Sequence, residues 1–153
     1  MVTDTNNMIL LSRSLDAIMT RVAAKTGAYL EDRVDQLIHT GDPAWAPKSP
    51  NTLMKYAREK PPYGHKTEPW QKTTELMNLI THRIVSGDTA PYQIEVGIFD
   101  HPKADIAAIL EYGTRDGRIP ARPLFSTVFD LEAENIPAMI TRELEKELNK
   151  FLL

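Results

Sequence analysis

The chain has no cysteine among its 153 residues, so neither disulfides nor thiolate metal sites can form, and a reducing environment is no obstacle to folding. It also lacks an excess of charge of either sign. A net charge of −3 gives the whole chain no pull toward nucleic acid, acidic substrates or a membrane surface. No apolar run approaches the roughly 18 residues that a membrane span needs. The opening stretch MVTDTNNMILLSRSLDAIM has a short apolar patch without a basic region or a small-residue cleavage site, so no signal peptide is expected. These absences predict a soluble chain made in a cytoplasm, with no membrane partner.

Motifs that would carry chemistry are also missing. The four histidines, His39, His65, His82 and His101, are too widely spaced to form a metal-ligand pair with one another. The serines, at positions 12, 14, 49, 86 and 126, include none in a nucleophile elbow. Gly113 and Gly117 have neither the dinucleotide nor the P-loop spacing. Glu143 and Glu147 fall on what reads as the polar face of a helix, where solvation is the expected state. No enzyme activity, cofactor or metal is therefore expected.

The periodicity that is present predicts an α+β fold in a single domain spanning residues 1–153. Leu11, Leu15, Ile18 and Val22, then Leu30, Val34 and Leu37, mark one long helix over 8–39 that Gly41-Asp42-Pro43 stops. Such a helix would extend about 48 Å at ~1.5 Å per residue, long for a domain of this size. Gly27 in its middle permits close approach or a bend. Residues 43–72 read as a proline-rich basic loop with a short helix around 52–60. A β-hairpin region is predicted over 76–99, the first strand opening in a stretch with helical character and the second placing Tyr92, Ile94, Val96 and Ile98 on one face. Residues 105–152 read as helices around a Gly/Pro corner. A short helix ends at Gly113 as C-cap, and helical stretches follow over 122–134 and 136–152, divided at Pro137. The last is amphipathic, with Ile136, Ile140, Leu144, Leu148 and Phe151 on one side.

Two segments stand above this background. The first is the basic stretch 48–72, interleaved with Tyr56, Tyr63 and Trp70. One reading makes Lys55, Arg58, Lys60 and Trp70 contacts to a partner or a nucleic acid, cations on phosphate and a ring on a base. The other makes it a loop that Trp45 and Trp70 anchor to the core. The second segment is the corner ILEYGTRDGRIPARPLF, residues 109–125. Pro120 and Pro123 fix φ and remove backbone donors, while Arg122 is placed to fork onto a carboxylate of its own chain or a neighbour.

The order Glu111-Tyr112-Gly113-Thr114, then Pro120-Ala121-Arg122-Pro123-Leu124-Phe125, resembles a signature of the tail-completion, or neck, proteins of tailed bacteriophages. Upstream, Trp45, Pro47, Ser49, Pro50, Thr52 and Lys55 in WAPKSPNTLMK are similar to a stretch of the same group, and IEVGIFD is similar to its sheet strand. Two departures stand out. Thr73-Thr74-Glu75-Leu76 lacks the group's glycine before the hairpin, and PPYGHKTEP has no counterpart.

The resemblance implies a structural virion protein that forms a ring, hexameric in this group, at the head-proximal end of the tail or in the neck. Its partners would be further copies of itself, the tail tube or tail terminator protein, and neck or connector proteins. DNA would pass through the lumen without sequence-specific binding. A tail terminator or neck stopper is the alternative within the same virion region. The expected interface residues are Glu111, Tyr112, Gly113, Thr114, Arg118, Pro120, Arg122, Pro123, Leu124 and Phe125.

Overall fold

A computed structural model describes residues 5–59, 69–70, 74–85 and 92–152. The fold is α+β, with six helices and a two-stranded antiparallel sheet among the described residues. The elements in chain order are α1 (Thr5–Thr40), α2 (Pro50–Arg58), α3 (Thr74–Asn78), β1 (Thr81–Val85), β2 (Gln93–Gly97), α4 (Ala104–Tyr112), α5 (Phe125–Glu132) and α6 (Asn135–Leu152). They form two compact units.

The first unit comprises Met1–Tyr29, His82–Glu95 and Glu132–Leu153. Ile18, Val22, Ala23 and Thr26 of α1 are buried here, with the Thr26 hydroxyl returned to the Val22 carbonyl at 2.9 Å. Leu15, expected in the same stripe, is exposed. Gly27 serves close approach: the His82 ring lies where a β-carbon would be, so any side chain at 27 would collide with it. Tyr29 donates to the buried Glu132 carboxylate at 2.6 Å, and Asn135 donates to the same oxygen at 2.9 Å.

That pair of contacts sits at the break between α5 and α6. The break falls at residues 133–134 rather than at Pro137, which lies in the first turn of α6, where a missing N–H leaves no bond unmade. The solvation expected for Glu143 and Glu147 is corrected. Both are buried, Glu143 bonded to Lys25 at 2.8 Å and Glu147 to Arg21 at 3.0 Å. Ile136, Ile140 and Leu144 are half-buried beside them, and Leu148 is exposed. The side chains of Leu11 and Phe151, expected in the two apolar stripes, lie outside those described.

The second unit comprises Leu30–Thr81 and Val96–Leu131. Leu30, Val34 and Ile38 form its α1 stripe, so Ile38 takes the core position expected for Leu37. Gly41, at φ 71°, ends the helix and donates to the Leu37 carbonyl at 2.8 Å. Ser49 caps α2 by accepting from the Thr52 N–H at 3.2 Å, and Pro50 opens the helix. The helical option at the start of the hairpin region is the one realised: α3 occupies Thr74–Asn78, leaving β1 only Thr81–Val85. The hairpin connection, residues 86–91, lies outside the described residues.

Candidate functional site

The corner is built around a carboxylate. Glu111, on the last turn of α4, is buried, yet no Lys, Arg or His side chain bonds to it among the described residues. Its Oε2 accepts from the backbone N–H of Leu124 at 2.6 Å and of Phe125 at 3.0 Å. Its Oε1 accepts from the Ser126 N–H at 2.9 Å and from the Ser126 hydroxyl. These are donors that the first turn of α5 leaves without an intrahelical partner. One side chain therefore caps a helix that begins fourteen residues after it, with the favourable end of the helix dipole facing its charge.

Arg122 locks the other side. The expected fork onto a carboxylate is corrected: Nε donates to the Ala46 carbonyl at 2.6 Å and Nη2 to the Pro47 carbonyl at 3.0 Å. Its own N–H donates to the Leu110 carbonyl at 2.7 Å, tying the corner back to α4. Burial pushes the guanidinium pKa down, with the nearby Tyr56 opposing the shift; an arginine starts too high on the scale to lose its charge.

Two indoles complete the frame. Trp45 Nε1–H donates to the Pro123 carbonyl at 2.8 Å, and Trp70 Nε1–H to the Arg122 carbonyl at 3.1 Å. Trp70 also meets Phe125 edge-to-face at 5.9 Å between centroids. Trp70 is only 1% exposed, so it offers no ring to a base. Of the two readings of this ring, the anchor is the one realised, and the contact to a nucleic acid is not. Lys55 and Arg58 are exposed on α2, and Lys60 lies outside the described residues.

The interface assignment divides in the same way. Glu111, Arg122 and Leu124 (0% exposed) are buried inside this unit, so their direct role at a surface is corrected to one of support. Gly113, Thr114, Pro123 and Phe125 are half-buried, while Pro120 and Arg118 are exposed and Tyr112 is 78% exposed. Gly113 ends α4 at φ 75°. A β-carbon there would stand 2.8 Å from the Ala121 backbone nitrogen and 2.9 Å from the Ile119 carbonyl oxygen, so only glycine fits this turn without a shift.

Beside the corner lies a feature the sequence does not announce. A groove of about 380 Å³ runs between β2, α4 and α5, lined by Val96, Ile98, Ala104, Ala108, Tyr112 and Phe129 among others, with Glu111 and Ser126 also reaching its wall. Small residues on α4 keep it open, and Phe129 stays partly exposed along it. Spacing of alanines is the available signal, but their groove exists only once α5 is laid against α4.

Among the described residues no group of three or more His, Asp or Glu side chains could hold a metal ion. No described helix is long and apolar enough to cross a membrane. No protein-family model, no curated protein and no solved structure matches the chain.

Proposed function

We propose that this chain is a non-enzymatic virion component of a tailed phage, a ring-forming protein of the neck or of the head-proximal tail end that joins tail to head. The observation that carries the reading is the convergence of the resemblance-bearing segments. Trp45, Ala46 and Pro47 from one, and Glu111, Arg122, Pro123, Leu124 and Phe125 from the other, bond to one another in a single buried frame. Segments that interlock in this way must be kept together, which suits a motif inherited as a set.

The frame holds its outer loop rigid, and a ring requires this because a head-to-tail contact must repeat at one fixed angle for closure. Six copies, a location in the virion and an open lumen for DNA follow from the resemblance. Neighbours would be the tail tube or terminator on one side and connector proteins on the other. The test is immunogold labelling of purified particles with an antibody to this chain. Gold confined to the head–tail junction is expected; particles free of the chain would overturn the reading.

A further inference from the structure

Residues 114–119 form a closed, largely exposed loop. Thr114 N–H donates to the Ile119 carbonyl at 2.9 Å, Ile119 N–H returns to the Thr114 hydroxyl at 2.9 Å, and Gly117 N–H donates to the Thr114 carbonyl at 2.9 Å. Asp116 accepts from the Arg118 N–H at 3.1 Å, and Gly117 supplies the left-handed turn at φ 71°. The loop is thus shaped before it meets anything, and little conformational entropy remains to be lost on docking. It carries two arginines against one aspartate, with an isoleucine at its end. Arg115 is exposed with no charged partner among the described residues, Arg118 is 86% exposed and pairs with Asp116 of the same loop at 3.1 Å, and Ile119 is partly exposed.

The groove between β2, α4 and α5 has the opposite character at its rim. Asp105 on α4 and Asp130 on α5 stand one helical step outside the lining positions. Both are exposed or half-exposed, and neither has an ion-pair partner among the described residues. Along the groove itself Tyr112 of α4 and Phe129 of α5 stay open to solvent.

We propose that the 114–119 loop of one copy seats in this groove of a second copy, with Ile119 on the apolar bed and Arg115 facing Asp105 and Asp130. Charge complementarity selects the occupant: one chain carries both a preformed basic, apolar-tipped knob and an apolar bed flanked by unpaired carboxylates. Because knob and socket are different surfaces, the contact is head-to-tail and repeats from copy to copy. This contact deepens the ring reading and rests on it for the choice of a further copy as partner.

Sedimentation velocity on the full chain, over a range of protein and salt concentrations, tests it. The expected result is mass that grows with protein concentration and falls with salt. Arg115→Glu, and separately Asp105→Lys/Asp130→Lys, should each weaken association on the order of tenfold or more, since each sets like charges face to face. All three positions lie at the surface, so circular dichroism should show both variants folded. Mixing the two variants sets the introduced glutamate against the introduced lysines and restores association, in a form neither reaches alone.

A wild-type chain that stays monomeric at its highest soluble concentration would overturn the proposal. So would single variants that associate like the wild type, or a mixture that does not recover. The two readings fail separately: gold at the junction with no such self-association leaves the virion role and removes this contact, and self-association without gold does the reverse.

Discussion

The two units bury carboxylates by opposite means. In the first, Glu143 and Glu147 of α6 are met by side-chain cations that themselves stay largely in water: Lys146 at 2.7 Å and Lys25 at 2.8 Å on Glu143, Lys150 at 2.9 Å and Arg21 at 3.0 Å on Glu147. In the second, Glu111 is met by the main chain of α5. Flexible surface cations can be screened, titrated away from or replaced one at a time. Backbone N–H groups have no such freedom. The first arrangement tunes how helices pair, whereas the second fixes where a chain reversal must go. That difference places the rigid geometry of the molecule at the corner.

The comparison breaks most readily at Glu111. Glu111→Ala leaves the Leu124, Phe125 and Ser126 N–H groups without their acceptor in a largely buried place, a loss of roughly 3–4 kcal/mol. Urea unfolding should show it as a lower midpoint, almost unchanged by added salt. Next in size is Gly113→Val. A β-branched residue forced to φ 75° against the Ala121 backbone should cost about 2 kcal/mol or more. Its readout is a fall in thermal midpoint larger than that of Gly117→Ala, where an added β-carbon meets nothing within 4 Å and only the positive φ is strained.

The ion pairs predict an acid response. Lys146, with Lys25 behind it, holds the Glu143 carboxyl at about 2 against an ordinary 4.5. Lys150, with Lys25 and Arg21, does the same for Glu147 in spite of burial, again to about 2. A carboxyl whose folded pKa is lowered binds protons more readily in the unfolded chain. Its stabilisation is therefore complete above about 4.5 and disappears as pH falls from there to about 2. Chemical denaturation across that window should show declining stability. The smallest effect belongs to Lys25→Met, which removes one shared partner and leaves Lys146 and Lys150 in place. By letting the folded carboxyl pKa values rise toward 4.5, it should make that decline smaller and end it at a higher pH, matched by a small loss of stability at neutral pH that high salt removes.

Sequence reasoning reaches what local spacing carries. The α1 stripe, the Gly41 stop, the short helix at α2, the Gly113 cap and the α+β class all rest on residues within a few positions of each other. It fails where the partner is remote. Glu147 reads as solvated because its Arg21 partner is 126 residues away, and Glu143 because Lys25 is 118 away. Arg122 invites a carboxylate because nothing near it in sequence reveals the carbonyls of Ala46 and Pro47. Leu37 and Ile38 are equal continuations of a stripe advancing by three or four, and tertiary packing chooses Ile38. At the corner the motif marks a tightly built place, but its parts do different work from that expected. Its most distinctive residues, Glu111 and Arg122, face inward to hold the loop, and the plain residues between them face out.

The most direct test of the whole account is electron microscopy of lysates from a phage carrying a stop codon in this gene, complemented in trans with wild-type chain or with Glu111→Ala. The account predicts filled heads beside unjoined tails without complementation, joined particles with the wild-type chain, and few with Glu111→Ala. Intact, infectious particles from the stop-codon phage alone would contradict it.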